Sequence, residues 1–526
     1  MPKIIQISVP PEKSFEEEYI FHLALSKSGL YESDVKDWYI KKRSVDARKR
    51  PVKIQLAVAL FEKGEEIVSP LQDIVFKNVA NAEPVHIIGA GPAGMFAALA
   101  CIEHGLKPIV FERGKDVRSR RRDLAKLNKE HILNPESNYC YGEGGAGTYS
   151  DGKLYTRSTK RGDVNKILSL LVQHGADPEI MVDAHPHIGT NKLPSIITAI
   201  RETILNYGGE FNFEHKLTDL EMEKGVLQRL EINNSKKIDV NELVLATGHS
   251  ARDIFELLHR KEIKIEYKPF SLGVRIEHPQ ELINSIQYHG ERSSVYLPQA
   301  SYSLVHQVDG KGVYSFCMCP GGIIAPCATE PGSVVSNGWS PSKRNNPYAN
   351  SGVVVEVDDE LTDAYASFGP LRGLKFQEEV EKTCWAAGGK TQALPAQRLL
   401  DFIHGKDSVD LPKCSYIPGV KVARIDELLP KQIAHRLQKG FLEFGKKLNG
   451  FLTNEALIVA PESRTSSPVR IPRTSTLEHE EVKNLYPCAE GAGYAGGIMS
   501  AAIDGMRVIA SIKQKKEGIQ PSNPQL

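Results

Sequence analysis

The sequence predicts an α/β fold with an inserted strand-rich domain and a small α+β plait at the N-terminus. Three observations predict it. Residues 85–112 read as strand, glycine turn, helix and second strand, and residues 485–512 repeat the strand–glycine–helix order near the other end. Between them, residues 268–358 turn strand-rich, with many Gly, Pro and Ser. Ahead of both, residues 1–80 carry a β-α-β-β pattern of their own.

The chain has 526 residues, roughly three or four domains' worth at about 150 residues each. Apolar residues make up 41% and charged residues 25%, which excludes a wholly disordered, collagen-like or coiled-coil chain. Lys plus Arg number 66 against 65 Asp plus Glu, so no global field draws nucleic acid or an anionic membrane. No apolar run approaches the roughly 18 residues of a membrane span. The opening MPKIIQISVPPEKSFEEE does not read as a signal peptide. Eight cysteines are too few for a secreted disulfide framework, so a cytoplasmic protein with reduced thiols is expected.

Residues 1–80 begin with IIQISVP, which alternates like a strand. Residues 15–28 space Tyr19, Ile20, Leu23 and Leu25 as on one helix. Two further strands flank a basic turn with Lys41, Lys42, Arg43, Arg48, Lys49 and Arg50. This order suggests a ferredoxin-like plait. The turn reads as solvated, because the aromatic-rich motif of RNA-binding plaits is absent.

After the polar linker KNVANAEP, Val85, Ile87 and Ile88 form a buried strand. Gly89, Gly91 and Gly94 fill the GxGxxG positions, with Pro92 and Ala93 between them. The first glycine permits the tight turn, the second admits a pyrophosphate, and the third lets the helix pack on the strand. The helix start offers unpaired N–H groups and a positive dipole end. The second strand ends at Glu112, placed to take ribose hydroxyls and to disfavour a 2′-phosphate; Arg113 follows.

Three more segments point to a flavin dinucleotide. YGEGGAGTYSDGKLYTR, residues 141–157, carries Gly142, Gly144, Gly145, Gly147 and Gly152, whose backbone amides could pass close to a flavin. Thr148, Ser150 and Lys153 are assigned to the cofactor with them. A strand at 243–246 ends in Thr247 and Gly248, the turn expected over the FAD phosphates. Near the C-terminus Glu490, Gly491 and Gly493 turn the chain, and Gly496, Gly497 and Ile498 start a helix. The Glu490 carboxylate can hold a ribityl hydroxyl. That helix start aims donors at the flavin edge that gains negative charge on reduction.

These segments look like the glutathione-reductase-type FAD fold. More narrowly, GAGPAGMFAAL, YGEGGAGTYSDGKLYTR, HPHIGTNKL, KPFSLGVRIEHP, SFCMCPGG, ALPAQRLLDF, ESRTSSPVRIPR and EGAGYAGGIMSAAIDG resemble a widespread, largely uncharacterised family of bacterial and plastid NAD(P)/FAD-dependent dehydrogenases. They span Gly89 to Gly505. The resemblance implies FAD binding, redox activity and an α/β plait ahead of the FAD domain, and brings no substrate. Glu490 departs from the broader fold, where Asp is commonest. The expected division is a plait at 1–80, an FAD-binding domain at 84–265 and 456–515, a substrate domain at 266–455 and a tail at 516–526.

One GxGxxG unit is complete, so NAD(P)H, a candidate transient electron donor, would dock without a Rossmann domain of its own. Arg275 and Glu277 share a strand face beside His278, read either as an anion site or as a cross-strand ion pair. Cys317 and Cys319 read as packed thiols rather than a redox pair, because a CxC disulfide on a strand is strained. Arg464, Thr465, Ser466, Ser467 and Arg470 concentrate donors in a Pro-punctuated loop; Arg275, Arg464 and Ser466 are the catalytic candidates. His185 and His187 read as hydrogen-bonded surface groups, and Arg118, Arg120, Arg121 and Arg122 as a solvated helix face. No metal-ligand spacing and no GxSxG occurs.

The expected activity is an FAD-dependent oxidoreductase. Hydride or electrons would pass through non-covalent FAD to or from a small molecule. An FAD-containing RNA- or tRNA-modifying protein and a non-catalytic flavin scaffold are the alternatives. Oligomeric state has no signal in the sequence.

Overall fold

In a computed structural model the chain is described over residues 2–67, 69–155, 162–290 and 295–519. The last two residues of the 141–157 glycine segment and most of the expected tail lie outside these residues.

Residues 2–67 place β1 (Lys3–Val9), α1 (Glu17–Ser28), β2 (Val35–Asp46) and β3 (Lys53–Glu62) in the expected order. The sheet runs β1-β3-β2, antiparallel throughout. Ile20 and Ala24 of α1 bury against Ile7, Leu56 and Val58. A ferredoxin-like plait has four strands and two helices. The N-terminal unit has three and one among the described residues, which corrects that expectation. Of the basic cluster, Lys41, Lys42 and Arg43 lie in β2 rather than in a solvated turn. Arg43 reaches Glu179 at 2.6 Å, and backbone hydrogen bonds join Arg43 to Val182 and Ala184 in the next unit.

The dinucleotide signature forms β4 (Pro84–Ile88), α2 (Pro92–His104) and β5 (Lys107–Glu112). These strands sit in a five-stranded parallel sheet ordered Leu485–Pro487, Leu243–Leu245, β4, β5, Glu210–Phe213. The strands read as near-continuous apolar runs because both faces are covered. Val85, Ile87, Val110 and Val244 face α2 and the C-terminal helix Ile498–Lys516. Ile88, Phe111, Leu243 and Leu245 face the other way, onto a three-stranded antiparallel meander spanning 217–239. Helices, parallel sheet and meander thus make three layers.

A seven-stranded sheet carries the second large core. Its order is Val305–Val308, Lys311–Cys319, Tyr348–Val357, Phe270–Pro279, Leu457–Glu462, Leu394–Arg398, Val420–Val422. Neighbours are antiparallel except the last pair. The strand Leu457–Glu462 lies inside this sheet, so the boundary expected at residue 456 falls after Glu462 instead. No helix among the described residues is long and apolar enough to cross a membrane.

Candidate functional site

A cleft runs along the ends of the parallel strands and on into the seven-stranded domain. Two helix starts open into it. The N-cap of α2 is Gly91 and that of Ile498–Lys516 is Gly497; neither helix has a side-chain cap. Both glycines line the cleft, so first-turn N–H groups of both helices are available to an anion there. The glycine loop after β5 bridges them. A methyl group on Gly147 would stand 3.0 Å from Pro92 and 3.6 Å from Ile498, so glycine lets the three crossings meet without Pro92 having to shift. Gly94 serves packing alone: a methyl there would stand 1.9 Å from the Gly89 carbonyl.

Of the residues assigned to the cofactor, Gly89, Gly91, Pro92, Ala93, Glu112, Arg113, Gly145, Gly147, Ser150, Gly152, Lys153, Thr247, Gly248, Glu490, Gly496, Gly497 and Ile498 line this cleft. Gly94, Gly144, Thr148, Gly491 and Gly493 do not and shape its walls instead.

Glu112 has a larger structural part than the sequence suggests. Its carboxylate accepts from the N–H groups of Ala90 at 2.8 Å, Gly114 at 2.9 Å and Gly142 at 2.9 Å. It therefore ties the first glycine turn to the second, leaving about one lone-pair position for a ribose hydroxyl. Arg113 is committed to Asp253 at 2.6 Å and to Glu136 at 2.8 Å. Its charge is thus neutralised within the protein.

Arg120 overturns the reading of its run as a solvated helix face. Arg118, Arg121 and Arg122 are exposed, but Arg120 is fully buried. It donates to the carbonyls of Asn138 at 2.7 Å, Glu143 at 2.9 Å and Gly145 at 2.8 Å. A loop this rich in glycine turns carbonyls inward, and one five-donor guanidinium satisfies several of them. Thr148 joins the same network through the Glu143 carbonyl at 2.6 Å.

At the C-terminal crossing, Asp504 accepts from Ala489 N–H at 2.8 Å and from both terminal nitrogens of Arg473 at 2.8 Å. That pair fixes the turn carrying Glu490. Glu490 faces the cleft, and burial pushes its carboxyl above the usual range. His249 lies 3.6 Å from it and is pushed down to about 4 by burial. At neutral pH the histidine is therefore uncharged.

The catalytic candidates separate. Arg464 lines the cleft. Its guanidinium donates to Glu381 at 3.1 Å and to Thr329 at 2.6 Å. Glu381 also accepts from Arg252 at 2.9 Å and Ser463 at 2.6 Å. Although burial opposes ionisation, the two arginines hold its carboxyl down at about 2. Arg275 does not line the cleft. It is fully buried and donates to Glu462 at 2.9 Å and Asn350 at 2.8 Å, a cross-strand ion pair rather than an anion site. Glu277 is not its partner; it accepts from Ser415 N–H at 2.9 Å. Ser466 does not line the cleft either.

Cys317 sits at a bulge of its strand with φ of 54° and lines the cleft beside Lys153, whose Nζ lies 3.6 Å from its sulfur. The bulge takes Cys317 out of regular strand geometry, and the Cys319 thiol donates to its carbonyl at 3.2 Å. His187 bonds the Ser342 carbonyl at 3.1 Å and His185 is exposed; neither reaches the cleft. Cys140 and Cys327, both at the cleft, escaped the sequence reading, as did Arg120, Glu381 and Asp504. Among the described residues no group of three or more candidate ligands could hold a metal.

Known proteins agree with this layout. The family model described as "FAD-dependent protein, C-terminal domain-like" matches residues 269–465, and one described as "FAD binding domain" matches residues 85–125. Residues 1–61 match a domain of unknown function, DUF8436. An uncharacterized protein of Clostridium beijerinckii is 40% identical over 508 residues, covering 93% of this chain and 94% of its own. Among solved structures, the tetracycline destructase Tet(51) is similar at TM-score 0.34 and 10% identity, over 83% of each chain. A flavoprotein/dehydrogenase from Cytophaga hutchinsonii is similar at TM-score 0.35 and 12% identity, over 84% of this chain and 80% of that one. Scores that low bear on neither chemistry nor fold detail. The glycine crossings and the matched FAD-binding domain make FAD the cofactor of this cleft. The chain belongs to the same family as the clostridial protein, a family of FAD-binding flavoproteins.

Proposed function

We propose that this flavoprotein is an oxidoreductase that passes hydride or electrons between a small molecule and non-covalently bound FAD. The observation that carries the reading is the convergence of two uncapped helix starts and a glycine loop on one cleft, which then continues under the seven-stranded domain. Bound FAD supplies hydride and electron transfer. The three layers of helices, parallel sheet and β-meander support a glutathione-reductase-type FAD domain, and the seven-stranded domain is the substrate domain in this reading.

The chain's own residues have definable tasks. Gly91 and the start of α2 accommodate the pyrophosphate, and Glu112 fixes that turn while offering an acceptor to the ribose. Glu490 offers an acceptor to the ribityl chain. The first-turn N–H groups of the helix that begins at Ile498 favour negative charge at the flavin edge near them, while the Gly497 N–H donates to Glu490. On the substrate side Arg464, held by Glu381, and Lys153, beside Asp151, bring N–H donors to the cleft wall, which favours a small molecule that presents acceptor oxygens. Arg275 acts only by positioning Glu462, which does reach the cleft.

The test is anaerobic mixing of the purified, flavin-loaded protein with NADH and separately with NADPH, watching flavin absorbance. Bleaching with either supports the oxidoreductase and names its donor. A flavin that neither nicotinamide nor any other small reductant bleaches would favour the scaffold reading. Binding of bulk tRNA with a steep salt dependence would favour the RNA-modifying one.

A further inference from the structure

Cys140 and Cys327 are 187 residues apart in sequence, yet their sulfurs lie 3.2 Å apart. Cys140 belongs to the loop that leads into the glycine segment of the FAD-binding part. Cys327 follows the strand Ile323–Pro326 on the other side of the cleft. Both are free thiols, both line the cleft, and Cys140 is partly exposed. Cys101, Cys384 and Cys488 are buried and line no part of it, as thiols used for packing would be.

We propose that Cys140 and Cys327 are a redox-active dithiol that closes into a disulfide across the cleft by exchange with a low-molecular-weight disulfide. The two thiols already touch, so closure calls for chemistry rather than a search for a partner. Cys140 is the nucleophile. It is the more exposed of the two, and the Cys327 thiol and, next, the Arg464 guanidinium push it below the usual thiol range against its burial. A thiolate is the attacking species, so a lowered thiol suits attack.

The step balances. The Cys140 thiolate attacks one sulfur of the oxidant RSSR; that S–S bond breaks, and one RSH leaves after taking up a proton. Cys327 then loses its proton and attacks the Cys140 sulfur of the mixed disulfide, expelling the second RSH. The protein gives up two electrons and two protons, and the oxidant takes them. The new bond ties the FAD-binding loop to the seven-stranded domain and so restrains opening of the cleft.

The test uses the full-length protein, reduced, desalted and equilibrated in buffers of graded oxidised-to-reduced glutathione ratio. Acid quenching, thiol blocking, intact mass and a non-reducing peptide map follow. The expected result is a wild-type mass that carries two blocking groups and two hydrogens fewer than the reduced control, with the Cys140 and Cys327 peptides linked. Cys327→Ser should instead hold one glutathione on Cys140, and Cys101→Ser should behave as wild type. Wild-type protein that keeps all its thiols at the most oxidising ratio would overturn the proposal, as would a link between Cys317 and Cys319. The wild-type readout needs no variant to fold. Flavin absorbance of the same samples is scored separately, so failure of the oxidoreductase reading stays distinguishable.

Discussion

Arg275 donates to the Glu462 carboxylate at 2.9 Å where two antiparallel strands run side by side in the centre of the seven-stranded sheet. Both side chains are withdrawn from solvent, at 0% and 5% exposure. Removing one member of such a pair strands the other, which costs about 3–5 kcal/mol, whereas replacing both with apolar groups of similar shape is often near neutral. Arg275→Ala should therefore lower the thermal midpoint sharply, and Arg275→Met with Glu462→Met should lower it less. A single variant melting with the wild type would remove the pair from any account of this domain.

Arg120 holds the carbonyls of Asn138, Glu143 and Gly145. Each charged hydrogen bond of this kind contributes about 1.5–3 kcal/mol net. Arg120→Ala should loosen the glycine loop and weaken FAD binding by about tenfold or more, since ~1.4 kcal/mol already amounts to a factor of ten. Arg121→Ala, on the exposed side of the same helix, should bind FAD as the wild type does. Fluorescence titration of FAD-stripped protein compares the two; equal affinities would refute the role given to Arg120.

The contrast between Arg120 and Gly94 shows what a sequence exposes. Gly94 is legible because its reason is local: the first turn of α2, which holds it, must pass close to the Gly89 carbonyl five residues earlier. Arg120 was hidden in a run of four arginines, and its partners lie 18 to 25 residues away in a loop whose path no periodicity encodes. The Cys140–Cys327 contact is more distant still, set only when the two large cores assemble. The sequence puts Arg275 on its strand, but its partner Glu462 comes from a neighbouring strand that the expected boundary assigns to the other domain. Strands and glycine turns follow from neighbours in sequence, whereas buried charge pairs follow from sheet order.

Glu112 accepts three backbone N–H groups from two separate glycine turns. Glu112→Gln replaces one acceptor oxygen with a donor, so at least one buried N–H loses its partner, at about 1–3 kcal/mol. The expected outcome is a lower thermal midpoint together with weaker FAD binding, because the turns holding the cofactor come apart. A variant that loses stability but keeps its FAD affinity would show that Glu112 braces the fold without shaping the site.

Glu277 supplies a pH signature. Burial pushes its carboxyl up to about 7 from 4.5, with the Ser415 hydroxyl and N–H partly opposing. The folded value lies above the unfolded one, so the native state holds the proton longer than the unfolded chain. Its contribution to stability is therefore complete below pH 4.5 and is lost as pH rises through about 7. The loss is of order 3 kcal/mol. Glu277→Gln stays neutral throughout and can still pair with Ser415, accepting from its N–H. Relative to the variant, the wild type should lose stability steadily across that window and then level off. Denaturant unfolding of both proteins at several pH values measures the difference, and a gap that does not change with pH would mean that Glu277 ionises normally within the fold.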